Sequence, residues 1–497
     1  MILMYLALWP VRLVLLAVIS LIYASFWVKR FSGQSAPDDE QYNYAPPVSP
    51  LLVPIAMLIY LALELIYWKS EKAIIAFCMD ALAIMVPLAA WSILAYFLIK
   101  PLRKVFCASS CSLLWLAPNF AFVLVILRLA KWFFSSSFSV EIDKGSLAIT
   151  VPVYFSVCAL LFILSIIRHL RFRKYVLKNA VPVDDERILG IFTKVLQETS
   201  KDDRTPRIVI SPDISTALSL GVFRKSTVVL LPDKNYSDED LELILRHELI
   251  HILRQDPVTK LFMVFCCSLL WIDPFMWMNR KLASEDIELS CDEAVLSGLG
   301  DDAKERYADL VLSSAGDDRG FSTSLSSSAK SLKYRLSGIM NPAEKRSGVL
   351  LIAAAIMLAA AGTFLISFSA KAGTAGSEIL PGYDEGKWKI VEVYGYTGDR
   401  LDRFVPSDET EAVEVLEKMM DLEVSIEGGS TYYAKENGWH VKVSNGNDYY
   451  ILNIYGRRLR VSSYDRSSGV SRSAGMYYIS DLDKSMEVSK MLNGLQH

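Results

Sequence analysis

Residues 237–256 decide the fold of the central part of this chain, and they read SDEDLELILRHELIHILRQD. Ser237 is a typical helix N-cap, the acidic residues after it suit the positive end of the helix dipole, and an apolar stripe follows at helical spacing. His247 and His251 stand four residues apart, so one face of the predicted helix carries both imidazoles. The sequence therefore brings together two of the five histidines in this 497-residue chain.

The run His247-Glu248-Leu249-Ile250-His251 is a pattern typical of zinc hydrolases. Two neutral imidazoles hold the ion, and Glu248, on the neighbouring face, is placed to take a proton from a water that the ion activates. The alternative is a chance match on an amphipathic helix, because the pattern is short. A further ligand elsewhere in the chain would distinguish the two.

A second acidic motif, Glu288-Leu289-Ser290-Cys291-Asp292, meets that requirement. It lies in a stretch of helical composition, residues 280–296, so Glu288 and Asp292 share a face. Zinc sites with two histidines on one helix commonly add a carboxylate from a second helix, and an acid one turn on can ligate or orient a histidine. The alternative is a solvated acidic face. The two motifs together favour a zinc site.

The composition indicates a membrane protein. Apolar residues make up 52% of the chain and the mean hydropathy is +0.29, both high for a soluble domain of this length. The apolar residues cluster in six runs, each long enough, or nearly so, for a membrane helix of ~20 residues. These runs are residues 13–27, 51–68, 73–99, 111–130, 149–167 and 349–368.

Basic residues predict the orientation of these helices. The densest cationic cluster, residues 168–174, follows the fifth run, and a second basic group precedes the sixth. The second group consists of Lys330, Lys333, Arg335, Lys345 and Arg346. Positive charge at membrane ends favours the cytoplasm, so residues 168–348 are predicted to be cytoplasmic and residues 370–497 extracellular. We expect a multi-pass protein of the cell membrane, embedded in the lipid bilayer.

A shorter apolar run, residues 261–272, lies between the histidine motif (247–251) and the acidic motif (288–292). It ends at Asp273-Pro274. About 12 residues are too few to cross a hydrocarbon core of ~30 Å. Both flanks must also stay on one side of the membrane if the motifs are to meet. We predict that residues 261–277 dip into the inner leaflet; a buried helical hairpin of the soluble domain is the alternative.

From about residue 75 to 370 the chain resembles the BlaR/MecR-type integral-membrane zinc metallopeptidases, which are signal-transducing antirepressors. The resemblance depends on a set of segments in a fixed order. The set comprises residues 93–104, 113–116, 168–174, 220–224, 228–232, 246–256, 273–277, 288–292 and 330–336.

The resemblance implies a fold and a site. The expected fold is an α-helical polytopic membrane protein with a cytoplasmic α+β zincin-like metallopeptidase domain and a small external α+β domain. His247, His251 and Glu288 map onto the ligands of one Zn²⁺ per chain, and Glu248 maps onto the catalytic base. Asp292 maps onto an acid that either ligates the ion as a fourth ligand or supports the site from behind.

The resemblance also implies substrates. Residues 227–231, and most directly Thr227, Val228, Val229 and Leu230, would form an edge strand that aligns a substrate peptide by strand addition. One more buried strand of the domain is the alternative. The implied substrate is a cytoplasmic protein, a transcriptional repressor. The resemblance also implies self-cleavage, and we expect such a cut in the Ser-rich loop at residues 315–328; a simple linker is the alternative.

The predicted domain order has five parts. These are an additional N-terminal transmembrane pair (1–72), transmembrane core helices (73–167), the cytoplasmic zinc domain (168–348), a last transmembrane helix (349–369) and an extracellular sensor-like domain (370–497). Within the last part, alternation predicts strands at residues 387–396, 439–444 and 449–455, and helices after Ser407 or Asp408 and at residues 484–492. This tail of about 120 residues has no S-x-x-K motif, so a penicillin-binding sensor is not implied.

Two other functions fit parts of the pattern. A housekeeping or prenyl-protein-type membrane protease also uses HExxH with a distant glutamate, but it has no need of a folded external tail. A receptor with a purely structural zinc would have no use for Glu248 beside an open position. The net charge of −3 gives no indication of direct nucleic-acid binding. An external ligand for the tail and a homodimer are both compatible with the sequence.

Overall fold

The computed structural model describes most of the chain from residue 71 onward. The described residues are 17, 18, 20–28, 49, 50, 55, 59, 71–119, 138–199, 205–222, 226–313, 323, 324, 329–340, 345–380, 383, 387–397, 400–427, 438–446, 448–465 and 470–495. Much of the predicted N-terminal helix pair and the second half of the fourth apolar run lie outside these residues. The chain forms two compact units: unit 1 holds Met1–Leu58, Met85–Ile126 and Tyr154–Gly362, and unit 2 holds Ile59–Ile84, Leu127–Val153 and Thr363–His497.

The described part of the chain up to residue 365 is mainly helical. Its helices are α1 (Glu71–Val105), α2 (Ala108–Leu114), α3 (Lys144–Leu177), α4 (Glu186–Thr199), α5 (Asp238–Arg254), α6 (Asp256–Leu269), α7 (Pro274–Val295), α8 (Asp301–Ser313), α9 (Ala329–Met340) and α10 (Val349–Leu365). By length and composition, two stretches of the described residues could cross a membrane: Ile84–Val105 of α1 and Thr150–Leu177 of α3. Val349–Leu358 of α10 is apolar but shorter.

A five-stranded sheet accompanies these helices in unit 1. Its strands are β2 (Val181–Pro182), β3 (Arg207–Ser211), β4 (Leu218–Leu220), β5 (Val228–Pro232) and β6 (Thr323–Ser324), in the order β2-β3-β5-β4-β6. One core lies between this sheet, α4 and α5, where Val229, Leu231, Leu245 and Leu249 are fully or almost fully buried. This packing fixes the face of α5 that carries the histidines.

The predicted edge strand is wrong. Thr227 precedes β5, and Val228, Val229 and Leu230 lie within it, but β5 pairs in parallel with β3 on one side and antiparallel with β4 on the other. All five residues of β5 are buried. Its backbone groups are therefore already used within the sheet, as expected of a continuous apolar run in a central strand.

The segment between the two motifs forms α6 and a tight turn into α7. Apart from Lys260 and Phe265, the residues of α6 are buried. At the turn, Tyr154 Oη of α3 donates to the carbonyl of Leu269 at 2.6 Å, and Asn279 Nδ2 donates to the carbonyl of Ser92 in α1 at 2.7 Å. The α6–α7 turn thus packs against both stretches that are long and apolar enough to span a membrane, while Ile272 beside it is 65% exposed.

Unit 2 is an α+β domain. Its nine-stranded sheet has the order β1-β7-β10-β14-β13-β12-β11-β8-β9. The strands are β1 (Phe138–Asp143), β7 (Ile366–Thr374), β8 (Lys389–Thr397), β9 (Arg400–Phe404), β10 (Glu423–Glu427), β11 (Trp439–Ser444), β12 (Tyr449–Tyr455), β13 (Arg458–Asp465) and β14 (Val470–Ile479). Helices α11 (Ala375–Ile379), α12 (Glu409–Met420) and α13 (Leu482–Gly494) accompany it.

The sequence predictions for the C-terminal domain are confirmed for its strands at residues 439–444 and 449–455. The side chain of Asp408 caps α12 by accepting from the amides of Thr410 and Glu411. The predicted last membrane helix is too long at its end, because α10 stops at Leu365 and residues 366–374 form β7. β7 pairs in parallel with β1, a contact between distant parts of the chain that local apolarity does not reveal.

Candidate metal centre

Helix α5 carries the histidine motif and begins as the sequence predicts. The Ser237 side chain accepts a hydrogen bond from the amide of Asp240, and three acidic residues occupy the first turn. His247, Glu248 and His251 are each 0% exposed. Burial of three polar side chains on one helix requires partners for each of them, and those partners come from α6, α7, α8 and β4.

Three atoms converge at the centre of the site. His247 Nε2 lies 3.1 Å from His251 Nε2, and Glu288 Oε2 of α7 lies 3.6 Å from each of those nitrogens. Ligand atoms at ~2.0–2.1 Å from a tetrahedral zinc ion stand about 3.3 Å apart. The triangle therefore has the size that one Zn²⁺ requires.

The donor set also fits a metal in its chemistry. Glu288 is 5% exposed, and within the described residues its Oε2 atom accepts no hydrogen bond. A buried carboxylate oxygen without a hydrogen bond is costly unless a cation neutralises it. Two imidazole nitrogens and a carboxylate oxygen are ligands that zinc commonly takes in catalytic sites.

Lys260 contributes a fixed charge at the rim of this triangle. Its Nζ donates to Glu288 Oε1 at 3.1 Å, which leaves Oε2 turned toward the two histidines. Burial raises the pKa of the Glu288 carboxyl, but Lys260 and His251 oppose it and hold that pKa well below its usual range. Glu288 is therefore an anion, the form in which it can ligate.

His251 is oriented by its neighbour in sequence, Asp256. Its Nδ1–H donates to Asp256 Oδ2 at 2.6 Å, deep in the protein, so the Nε2 lone pair faces the triangle. The chain reaches this position through Gln255, which ends α5 in the left-handed region with φ 57°. That residue turns the backbone sharply enough for Asp256, at the start of α6, to face back onto His251.

His247 is oriented by residues far away in sequence. Its Nδ1–H donates to the Tyr307 hydroxyl of α8 at 2.8 Å, and that hydroxyl donates to Asp292 Oδ1 at 2.7 Å. Arg335 of α9 then holds Asp292, donating from Nε to Oδ2 at 2.7 Å and from Nη2 to Oδ1 at 2.6 Å. Asp292 thus lies on the Nδ1 side of the His247 ring and supports that imidazole from behind.

Cys291 is a second donor of α7 close to the histidines. The ligand atoms of His247, His251 and Cys291 all lie within 4.8 Å of one another. Its thiol, however, donates to the backbone carbonyl of His247 at 3.4 Å. Glu288 is the better third ligand, because its Oε2 atom lies 3.6 Å from both imidazole nitrogens and accepts no hydrogen bond among the described residues.

Glu248 lies beside the sheet. The side chain of Ser219, in β4, hydrogen-bonds its carboxyl group. Burial raises the pKa of Glu248 above its ordinary value, against the lowering effects of His247 and His251. On its other edge β4 pairs antiparallel with β6, with Leu218 opposite Ser324 and Ser219 opposite Thr323. The strand next to Glu248 therefore holds a short extended segment of the chain itself.

The structure brings together the four residues that the sequence singled out most strongly, His247, Glu248, His251 and Glu288. The sequence reasoning assigned no role to Asp256, Lys260, Tyr307 or Arg335. The sequence does offer a clue to Asp256, since this carboxylate lies five residues after His251 and immediately before Pro257. Arg335 was counted among the basic residues that mark a membrane end, yet it is 0% exposed.

Residues 135–339 match the family model described as BlaR1 peptidase M56. The chain is 25% identical over 213 residues to the regulatory protein BlaR1 of Bacillus licheniformis, a region that covers 41% of this chain and 35% of that protein. It is 27% identical over 107 residues to the methicillin resistance mecR1 proteins of Staphylococcus aureus and Staphylococcus epidermidis, covering 21% of this chain and 18% of each relative. The chain therefore spans about a third or less of the length of these relatives.

Proposed function

We propose, on the premise that this chain belongs to the BlaR/MecR-type peptidase family, that it is a membrane-embedded zinc endopeptidase with a cytoplasmic active site. The observation that carries the proposal is the buried triangle of His247 Nε2, His251 Nε2 and Glu288 Oε2 with Glu248 beside it. A purely structural zinc site would fill its fourth position with a protein ligand. Asp292 lies instead on the Nδ1 side of the His247 ring, and the Cys291 thiol donates to a backbone carbonyl.

The residues of the site divide the work of peptide hydrolysis. His247, His251 and Glu288 would hold the zinc ion, which supplies a Lewis acid that activates water and polarises the scissile carbonyl. Glu248 would take a proton from the attacking water at a carboxylate oxygen and pass it to the leaving amine. Asp256 and Tyr307 keep the two imidazoles in the tautomer whose Nε2 faces the ion.

Replacement of the base tests this mechanism. Glu248→Gln keeps the shape of the side chain but removes the proton acceptor, so cleavage of a cytoplasmic protein should fall at least about 10²-fold while zinc content stays near that of the wild type. Metal analysis and a cleavage assay on the purified full chain measure the two quantities. Cleavage at a near wild-type rate in the variant would rule out the mechanism.

Strand β4 is the better candidate for alignment of a substrate than the strand predicted from sequence. An extended peptide can add to a sheet edge through backbone hydrogen bonds, and β4 lies next to Glu248 through Ser219. Residues 323 and 324 pair with β4 in that manner. They belong to the Ser-rich loop at residues 315–328, which supports the proposal that this loop is a substrate of its own active site.

Self-cleavage is tested by immunoblots against the C-terminal domain. Wild type should yield a fragment that begins within residues 315–328, and Glu248→Gln should yield none. The same fragment from both proteins would mean that another protease makes the cut. Thr323→Pro provides a matched variant, because proline disfavours strand pairing at β4–β6 and residue 323 is not one of the metal-site residues.

One backbone pairing and one side-chain ion pair support the proposed membrane orientation. β1, which leads into α3, pairs with β7, which follows α10. Arg103, at the end of α1, donates to Asp286 of α7 at 2.7 Å. Counting the apolar runs from the cytoplasmic residues 168–348 puts β1 on the same external side as residues 370–497, and puts Arg103, between the third and fourth runs, on the same cytoplasmic side as Asp286. Labelling of single cysteines introduced at Asp184 and at Asp483 should find the first inside and the second outside; external labelling at Asp184 would overturn the orientation.

The relatives point to a role in regulation. One is named a regulatory protein and others are named methicillin resistance proteins, and the family resemblance implies a transcriptional repressor as the cytoplasmic substrate. The C-terminal domain at residues 370–497 would then bind the external signal. Co-expression with a candidate repressor encoded beside this gene, in wild type and Glu248→Gln, tests the substrate: the repressor should be cut only by the wild type.

A further inference from the structure

The metal site is supported by a side chain from the segment that leads to the last apolar helix. Arg335 lies on α9 (Ala329–Met340), the helix that precedes α10 (Val349–Leu365) in the chain. Its guanidinium is 0% exposed and grips both oxygens of Asp292. A third nitrogen, Nη1, lies 3.6 Å from Glu288 Oε2. Arg335, which belongs to neither α5 nor α7, thus contacts both Glu288 and Asp292, the carboxylate that supports His247.

The contacts of Arg335 form one series that ends at the metal position. Arg335 orients the Asp292 carboxylate, that carboxylate accepts from Tyr307, and the Tyr307 oxygen accepts from His247 Nδ1. A planar guanidinium that binds a carboxylate in bidentate fashion fixes its direction more strictly than a single hydrogen bond does.

The position of Arg335 depends on the docking of α9. Ile339 of α9 is buried with Leu243, Ile250, Tyr307 and Val311, so the helix packs onto α5 and α8 through apolar contacts. Residues 346–348, which follow α9, bond to the end of α1: the amide of Arg346 donates to the carbonyl of Val105 at 3.0 Å. The packing of α9 and of the segment after it therefore determines whether the guanidinium reaches Asp292.

We propose that Arg335 is a positioning residue for the metal centre: through Asp292 and Tyr307 it fixes His247, so the site holds its ion tightly only while α9 is docked. This inference rests on the proposed zinc site. It connects α9, the helix before α10, to the geometry of His247. A motion of α9 would loosen the metal centre without displacing α5, where both histidines reside.

Zinc affinity of the full chain in detergent, measured by competition with a chromophoric chelator, tests the proposal. Arg335→Gln should weaken binding by about 10–100-fold, as is typical for loss of a group that orients a ligating histidine. Arg335→Lys retains the charge but not the bidentate grip and should fall between wild type and Arg335→Gln. Wild-type affinity in Arg335→Gln would overturn the proposal.

Tyr307→Phe removes a single hydroxyl from the middle of the series. It keeps the proposal testable if the Arg335 variants fail to fold. It should also weaken binding by about tenfold or more. Because the two groups act in series, the double variant should bind zinc no more weakly than the weaker single variant, within about twofold. Unchanged affinity in Tyr307→Phe, or full additivity of the two losses, would overturn the proposal.

Arg103→Gln is the matched control. It breaks another largely buried pair of an arginine with a carboxylate of α7, since Arg103 donates to Asp286 at 2.7 Å and to Glu285 at 3.2 Å. It should lower the thermal midpoint while leaving zinc affinity within about twofold of wild type. An equal loss of affinity in Arg103→Gln would mean that any loosening of α7 suffices. Wild-type protein that binds no zinc would refute the proposed function instead.

Discussion

The two histidines of the site are held in opposite ways. His251 depends on Asp256, five residues further along the chain, at the junction of α5 and α6. His247 depends on residues from α7, α8 and α9, the last of them more than 80 positions away in sequence. The first support forms as soon as one helix and its turn form. The second forms only when α7, α8 and α9 have packed together. The support of His251 is therefore the local half of the site, and the support of His247 is the half that depends on tertiary structure.

The largest expected effect distinguishes a ligand from a support on α7. Glu288→Ala removes the oxygen that lies 3.6 Å from both imidazole nitrogens, so we expect loss of nearly all bound zinc. Asp292→Ala leaves the three ligand atoms and should weaken affinity by about 10–100-fold. Metal analysis of the purified variants measures both. Equal and full occupancy in the two variants would show that α7 does not close the site.

The local half is tested by Asp256→Asn, which keeps the shape of the side chain but removes its charge. The hydrogen bond to His251 Nδ1 weakens, and we expect zinc affinity to fall by about tenfold. Combined with Arg335→Gln, the two losses should add to within about 0.5 kcal/mol, because they act on different histidines. Strong non-additivity, measured by the same chelator competition, would mean that the two halves form one network.

A smaller effect is expected at Cys291, the other donor near the histidines. Its thiol donates to the carbonyl of His247 and Glu288 is the proposed third ligand, so Cys291→Ala should bind zinc within about twofold of wild type. Cys291→Ser provides the control that keeps a hydrogen-bond donor. A loss as large as that in Glu288→Ala would make the sulfur, not the carboxylate, the third ligand.

The smallest effect concerns the turn that makes the local half possible. Gln255 has φ 57°, a region that costs a non-glycine residue roughly 1–2 kcal/mol. Gln255→Gly should therefore raise the thermal midpoint of the metal-free protein slightly, whereas Gln255→Val should lower it because a β-branched side chain tolerates this region poorly. Zinc affinity should not change in the glycine variant. Identical midpoints for both variants would show that the turn stores no strain.

The same division explains what the sequence could predict. The ligand helix, its cap and the pairing of Glu288 with the histidines follow from local periodicity and spacing, and they are present in the structure. Arg335 was interpreted as one of several charges at a membrane end, because charge patterning cannot tell a solvated arginine from one paired with a distant aspartate. Strand β5 was misplaced for a similar reason: its apolar residues predict a strand, but only the neighbours β3 and β4 make it central.

Asp292 illustrates the limit most clearly. Sequence spacing left it either a fourth ligand or a support, since both roles need an acid one turn after Glu288 on the same face. The deciding feature is the ring orientation of His247, which Tyr307 sets from α8. Which ring nitrogen of His247 faces Asp292 depends on the tertiary structure, and no sequence pattern within α7 encodes it.

The parallel pair of β1 and β7 has a mechanical consequence. β1 runs directly into α3 and α10 runs directly into β7, with no linker residue at either junction. Because the two strands pair along six residue positions, one end of α3 is linked to one end of α10. A force on the sheet would therefore act on α3 and α10 together and not on one helix alone. Insertion of a flexible Gly-Ser-Gly segment after Asp143 should separate α3 from the strand pair. If the C-terminal domain senses an external signal as proposed, an unaltered response in that variant would show that the connection through α10 is enough.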